Sequence, residues 1–511
     1  MKFRFLTRFQ RTVALSLILL MMLSALSSCG VIIINRPETE APATTVTPET
    51  GNSPEDSGSV TEGEETTEDP VLTEAPDVET EPPKKMEFPS RIEEAEQRLE
   101  QLGTSIDISG FDLIYAAADN TVDVIFSDEK SPLYAARTNR NAMVEEKYSS
   151  AVRTIYQAAV TSDKLFEDIR VSVDSGFTTE FYLDLLVLSA EDAGRFLSKG
   201  LLKDMRSLPF YDINEGPQDG NVGSSRYFDL GAGADAPESL YAIYFNRTLL
   251  GKDAEKMLYD AALEGKMSWE LLYTASSVLA EREADMAIQG GANELPGELA
   301  PYLSGIGFIT KNTDGVPKVS VSEGDALLID SVIETISGLS FYTPAEGGAT
   351  PRDKFIEGGV PFYLGTLSEM LELYDEKVEW GLLPLPSDKD LGAFSANRPV
   401  ICIPATNTRL EETSIWLTAF NAASGEWMRD QYLSVSIRDH IRDNNSCLVL
   451  NKILSQKAEF TFERVFVSYY DGIKDATYGV GGKALSDGEK FSSLITKNIA
   501  SINKKLAKLP Q

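Results

Sequence analysis

The chain reads as an α/β protein with two domains, on three observations. Strand-like apolar runs alternate with amphipathic helical stretches through its body. About 420 residues follow an acidic low-complexity stretch, enough for two domains of ordinary size. One run, "FYLDLLVLSAED", is almost continuously apolar over Leu183 to Leu188, the pattern of a parallel strand buried on both faces. Such alternation implies sheets covered by helices, with ligands at the carboxyl ends of the strands.

The order of elements begins before the folded body. Met1 to Arg11 carries Lys2, Arg4, Arg8 and Arg11 and no acid. Val13 to Leu23 is apolar apart from Ser16, and Ser24, Ala25, Ser27 and Ser28 follow. A basic start, a short apolar middle and a small-residue exit make a secretory signal. The competing reading, a transmembrane anchor, needs roughly 20 apolar residues, and this run is shorter. Leu26-Ser27-Ser28-Cys29 resembles the bacterial lipobox, in which signal peptidase cuts before a lipidated cysteine. That resemblance implies a signal peptide over 1–28 and a mature protein anchored through acyl chains on Cys29 at the extracellular face of the cell membrane. Two or more chains anchor stably, at about 0.8 kcal/mol per buried CH₂. Residues 29–88 are rich in Thr, Glu, Pro, Asp, Ser and Gly, as in "ATTVTPETGNSPEDSGSVTEGEETTEDP". They hold too little apolar surface to offset the entropy of ordering, so a disordered, self-repelling tether is expected. Its threonines are candidate glycosylation sites.

The formal net charge is −32 and the isoelectric point is near 4.5. Both argue against nucleic acid, whose phosphates need a basic footprint, and against electrostatic docking onto anionic lipid. After Cys29 only Cys402 and Cys447 remain. They could pair outside the cell or stay buried and unpaired, and neither belongs to a disulfide framework or a zinc site. No metal and no cofactor is expected.

Within the body, "SRIEEAEQRLEQL" predicts an exposed opening helix with Ile92, Ala95, Leu99 and Leu102 on one stripe. "TVDVIFSD" predicts a strand with Val122, Val124 and Phe126 on one face. "NRNAMVEEKY" predicts a helix with Met143, Val144 and Tyr148 as its apolar side. "DAGRFLSKGLLKDM" predicts a helix broken at Gly200. Near the end, "GVGGKA" reads as a glycine-rich loop, with Lys483 followed by Ala484 and the wrong upstream spacing for phosphate binding.

Seven stretches, in order from about Asp128 to about Leu454, resemble extracellular solute-binding proteins of bacterial ABC importers, the sugar-type family and clostridial lipoprotein members in particular. They are "SPLYAARTNRNAMVEEKYS", "FYLDLLVLSAEDAGRFLSKGLLKDM", "LYAIYFNRTLL", "SWELLYTAS", "FIEGGVPFYLGTLSEM", "EWGLLPLPSDKDLGAFSANRPVICIPAT" and "IRDNNSCLVLNKIL". Each alone is common, and their order behind a lipobox and tether is what makes the signal specific. The resemblance implies a two-lobed periplasmic-binding-protein-like fold of type II with a cleft between the lobes. The first α/β lobe would hold 89–238 and 398–432, the second 239–397 and 433–511. It further implies an ABC permease in the membrane as partner and a small-molecule solute, with mono- or oligosaccharide preferred over peptide. Hinge candidates are Ala236 to Leu240 and Asn397 to Val400. One departure stands out: "YDINEGPQDGNVGSSRYFDLGAGADAPESL" keeps the Tyr-Asp but lacks the paired tryptophans often seen after it.

Sugar recognition wants an aromatic face for the ring and planar polar groups for its hydroxyls. The ligand-binding candidates are Ser189, Glu191 and Asp192 after the buried strand, and Asn139, Arg140 and Asn141 on a helix. The second lobe offers Tyr244, Asn246, Trp269 and Tyr363, with Phe394 near the return strand. Each has a plainer competing role: Tyr244 and Trp269 in a core, Glu191 and Asp192 as first-turn acids favoured by the helix dipole. No catalytic residue is nominated. His440 is the only histidine and sits among charges, and no Gly-x-Ser-x-Gly elbow, His-Glu-x-x-His helix or phosphate loop occurs. A surface glycan hydrolase with a carboxylate pair, and a non-catalytic adhesion module, are the alternatives to the importer subunit.

Overall fold

A computed structural model describes residues 92–103, 107–156, 160–176, 182–211, 221–222, 225–282, 291–292, 304, 306, 308–311, 317–338, 351–374, 376–386, 393–395, 398–456, 458–459 and 473–507. Cys29, the segment 1–88 and Asn397 lie outside them.

Two four-stranded sheets organise these residues. The strands are β1 (Asp112–Ala117), β2 (Ala151–Thr154), β3 (Leu185–Ser189), β4 (Tyr241–Asn246), β5 (Gly291–Ala292), β6 (Phe362–Thr366), β7 (Trp380–Leu383) and β8 (Pro399–Cys402). The first sheet runs β8-β3-β1-β2 and the second β7-β4-β6-β5. In the first, β1 is parallel to β2 and β3, and β8 returns antiparallel with Pro399 opposite Ser189 and Cys402 opposite Leu186. In the second, β4 is antiparallel to both neighbours, so Tyr244 lies opposite Tyr363 and Leu382.

The longer helices are α1 (Ile92–Gln101), α2 (Tyr134–Tyr148), α3 (Ser162–Asp174), α4 (Ala190–Ser198), α5 (Lys252–Glu264), α6 (Trp269–Arg282), α7 (Glu323–Gly338), α8 (Leu410–Ala422), α9 (Glu426–Asp439), α10 (Asn444–Ser455), α11 (Tyr478–Asp487) and α12 (Phe491–Leu506). None of the described helices is long and apolar enough to cross a membrane.

Every residue of β3 is buried, as its unbroken apolar run requires. Leu113, Tyr115, Leu185, Val187 and Ile401 pack with Trp416 and Phe420 of α8 on one side of the first sheet. Leu186 and Leu188 point the other way, into a cluster that continues through Tyr244, Phe245 and Leu382 of the second sheet. Alternation along a strand thus lets one sheet feed two cores. The stripe of α1 also faces inward, with Ala95 and Leu99 buried. The helix α4 ends at Ser198, and Gly200 takes φ +69°, a left-handed conformation that glycine reaches without a Cβ clash.

Two sequence expectations are corrected. "TVDVIFSD" is not a strand. Asp123 Oδ1 accepts from the amides of Ile125 (2.9 Å) and Phe126 (3.2 Å), which bends the chain locally. Arg140 Nη2 and Asn141 Nδ2 then donate to the Ile125 carbonyl that a ladder would have needed. "GVGGKA" is not a loop but part of α11, where burial of Val480 and Ala484 in the core overrides the low helix propensity of glycine.

The chain leaves the first sheet for the second through 235–240. Pro237 there opens a buried 3-10 turn over Pro237–Ser239 rather than an extended connector, while Pro399 does begin a strand. A third passage is α9, which continues through Tyr432 and Leu433 without a break. Cys402 and Cys447 are both buried and not linked to each other. Burial first, then the charge of Asp443, pushes the Cys447 thiol up to about 11, so it stays protonated and inert at neutral pH.

Candidate functional site

The carboxyl edge of the first sheet carries the polar side chains that a ligand would meet in an open α/β sheet. Ser189, the last residue of β3, is also the N-cap of α4. Its Oγ accepts from the Asp192 amide (3.1 Å) and donates to Asp192 Oδ2 (2.8 Å). Asn120, just past β1, donates from Nδ2 to the same carboxylate oxygen at 2.7 Å. Strand end, helix start and the loop after β1 are thereby locked together. Asp119 and Asn120 are exposed on this edge, and Glu191 is half-buried in the first turn of α4.

That loop runs on to a second cluster at the connector. Ser127 Oγ accepts from Arg137 Nη1 at 2.6 Å. The same nitrogen lies 2.6 Å from Glu238 Oε1, in a pair whose side chains are 2% and 9% exposed. Arg137 belongs to α2 and Glu238 to the 3-10 turn that leads into β4, so the pair bridges the first sheet's helices and the crossing chain. Arg137 Nε, Arg137 Nη2 and Glu238 Oε2 are buried with no hydrogen-bond partner. A buried charged group left short of partners is costly, and such groups in a folded protein call for water, ion or ligand.

Around this pair the connector is otherwise well tied. Ser239 and Ser395 share a hydroxyl–hydroxyl bond at 2.7 Å, and Leu240 bridges Ser395. Tyr432 of α9 donates to the Leu367 carbonyl at 3.2 Å. Arg429, also on α9, grips Asp235 with both Nε and Nη2, and its Nη1 donates to the Leu454 carbonyl at 2.7 Å.

The sequence-nominated residues divide by burial. Asn139 is exposed on the outer side of α2. Its neighbours are corrected to structural roles: Arg140 donates to the carbonyls of Val124 and Ile125 and lies 3.9 Å over the Phe420 ring, while Asn141 donates to Ile125. Helical periodicity turns these two inward while Asn139 faces out. Tyr244 and Tyr363 are likewise fully buried in the second sheet, 6.0 Å apart between ring centroids, with Trp380 5.4 Å from Tyr244. Their hydroxyls donate to the Thr366 carbonyl and to Glu369. They fill core, as the plainer reading had it. Asn246 accepts from the Leu249 amide at 2.9 Å and caps the short helix Arg247–Leu250. Trp269 is buried at the start of α6, and Phe394 is buried with its ring 5.7 Å from Tyr241. Ser189, Glu191 and Asp192 remain on the polar edge, although Ser189 and Asp192 spend hydrogen bonds on each other. Sequence reasoning passed over Arg137, Glu238 and Asn120. A Glu directly after Pro237, where the chain crosses between the sheets, was the available signal.

Among the described residues no group of three or more His, Cys, Asp or Glu could hold a metal ion. Comparison of the fold with solved structures matches the sugar-binding protein MalE from the phytopathogen Xanthomonas citri at 11% identity and a TM-score of 0.50, covering 78% of this chain and 98% of that one. Also similar are the GacH receptor of Streptomyces glaucescens (12% identity, TM-score 0.49, 78% and 100% covered) and the galacto-N-biose-/lacto-N-biose I-binding protein of the ABC transporter from Bifidobacterium longum (14%, 0.49, 79% and 99%). No family model and no curated protein matches the sequence. On the likeness to the Xanthomonas protein, the chain has the two-lobed type II periplasmic-binding-protein fold.

Proposed function

We propose that this protein is the solute-binding subunit of an ABC importer, capturing a mono- or oligosaccharide between its lobes and passing it to a membrane permease without chemistry. The lobes are 89–238 with 398–432 and 239–397 with 433–511, and Cys29 is the lipidated anchor on the extracellular face of the membrane. Several similar proteins are named as sugar binders, which favours that ligand class. The observation that carries the reading is the Arg137–Glu238 pair. It lies at the root of the connector with donors and an acceptor unmatched, the complement of a sugar's vicinal hydroxyls. Asn120, Glu191 and Asp192 supply the polar rim, and Ser189 holds Asp192 in place. A solute touching both lobes favours their closed arrangement by its differential affinity for it.

Thermal unfolding of the full-length protein against mono- and oligosaccharides, amino acids and short peptides tests this. At a concentration near 100 times Kd, a bound solute adds about 2.7 kcal/mol. A sugar-specific upward shift with no product formed is expected, reduced by Glu238→Gln. A panel-wide absence of shift would sink the reading, and product formation would make the protein a hydrolase.

A further inference from the structure

A cavity of about 570 Å³ lies apart from the Arg137–Glu238 pair, neither of which lines it. Its walls come from α1 (Glu94, Arg98, Gln101), from Tyr211, from Asn421 of α8 and from Trp427 of α9, and no residue of the second sheet lines it. The volume lies in the range of small-molecule sites.

The two walls differ in how their hydrogen bonds are used. Asn421 Nδ2 donates to Asp229 Oδ2 at 2.9 Å and its Oδ1 accepts from the Gly233 amide at 2.8 Å. Tyr211 donates its hydroxyl to Asp229, and Trp427 Nε1 donates to the Ala423 carbonyl at 3.0 Å. That wall is rigid, with two aromatic side chains held in fixed orientation. Gly231 and Gly233 permit it, because a Cβ at either position would meet side-chain atoms of Asn421 or Phe420 within 2.8 Å. The α1 wall is largely uncommitted. Arg98 spends Nε and Nη2 on the Ala422 (3.1 Å) and Ser424 (2.7 Å) carbonyls at the end of α8, leaving Nη1 outside that clasp. Glu94 and Gln101 are exposed, and their side chains make no hydrogen bond to described residues.

We propose that this cavity is a separate binding site for a neutral carbohydrate of mono- to disaccharide size, created by the docking of α1 on the first lobe. The half-buried Tyr211 ring, held in place by its hydroxyl bond to Asp229, suits the apolar face of a pyranose, and the Gln101 amide, the Glu94 carboxylate and Arg98 Nη1 suit its hydroxyls. A free anion would meet Glu94 and Glu426, and a cation would meet Arg98, so a neutral polyol fits best. The site lies apart from the interlobe site of the proposed function and stands without it.

The test uses the full-length protein carrying Glu238→Gln, titrated by calorimetry with maltose, lactose and N,N′-diacetylchitobiose. Saturable binding of at least one probe is expected, weakened at least about tenfold, or about 1.4 kcal/mol, by Glu94→Ala and by Gln101→Ala. Both side chains are exposed and bond to no described residue, so either change should leave the fold intact. Absence of saturable binding by all three probes overturns the proposal, as does binding that both variants leave unchanged. A solute response of the unmodified protein that Glu238→Gln leaves unchanged, with this binding retained, would count against the interlobe reading alone.

Discussion

Two arginine–carboxylate pairs, each with a buried carboxylate, lie beside the first sheet, and they are finished differently. At the amino end of β3, Asp184 is fully buried and accepts from the Ile114 amide (2.8 Å), from Tyr182 and from Arg409 Nε (3.2 Å) and Nη2. Arg409 also donates to the Asp112 carbonyl at 3.0 Å and lies 4.5 Å over the Phe111 ring. Asn407 closes the set by donating to the Asp184 carbonyl at 3.0 Å. At the connector, Arg137 and Glu238 share one nitrogen–oxygen contact and leave three polar atoms unmatched. The lesson is one of completeness: a saturated network holds a fold, while a partly satisfied one leaves the polar atoms on which the proposed solute site rests.

The largest expected effect breaks the saturated pair. Asp184→Ala strands Arg409 and several donors, and should cost about 3–5 kcal/mol in urea unfolding, with the solute affinity of the folded fraction unchanged. An affinity loss as large as the stability loss would erase the distinction between the two pairs.

Next comes Asp235, which joins the crossing chain to α9. Burial raises its carboxyl, but hydrogen bonding and charge from Arg429 outweigh that and hold it below the ordinary range. A depressed folded value means that the unfolded chain takes up the proton first as pH falls. Its stabilisation is therefore present above the unfolded value of about 3.9 and is lost as pH falls through the folded one. Asp235→Asn should cost about 2 kcal/mol at neutral pH, and the gap to the parent should close under acid. A gap independent of pH would remove the charge from the explanation.

The smallest stability effect sharpens the comparison most. Replacing both members of the connector pair, Arg137→Met with Glu238→Leu, should leave stability within about 1 kcal/mol of the parent or raise it, because the unmatched atoms go together. Solute affinity should fall at least about tenfold in isothermal titration. Retained affinity would reassign the pair to plain structure.

How much of this was legible beforehand follows from the length of each signal. The buried run at Leu185–Ser189, the apolar stripe of α1 and the break near Gly200 are local patterns, and local patterns survive folding. The strand expected at "TVDVIFSD" fails because its carbonyls are taken by Arg140 and Asn141, from a helix more than a dozen residues on. The aromatic candidates fail for a related reason. A tyrosine on a strand looks the same in sequence whether its ring meets a solute or a core, and Tyr244 and Tyr363 turn to the core.

By itself, the sequence determined the α/β alternation, the apolar strand that centres the first sheet, the stripe of α1 and the acidic charge balance of the chain. These depend on composition and on neighbours a few residues apart. Tertiary structure decided which polar groups are satisfied and which are left with capacity. Arg137 meets Glu238 across a hundred residues, Arg98 meets Ala422 across 324, and Asp184 meets Arg409 across 225. Hydrogen-bond completion depends on which side chains the folded chain brings within about 3 Å of each other, and one-dimensional spacing does not encode that distance.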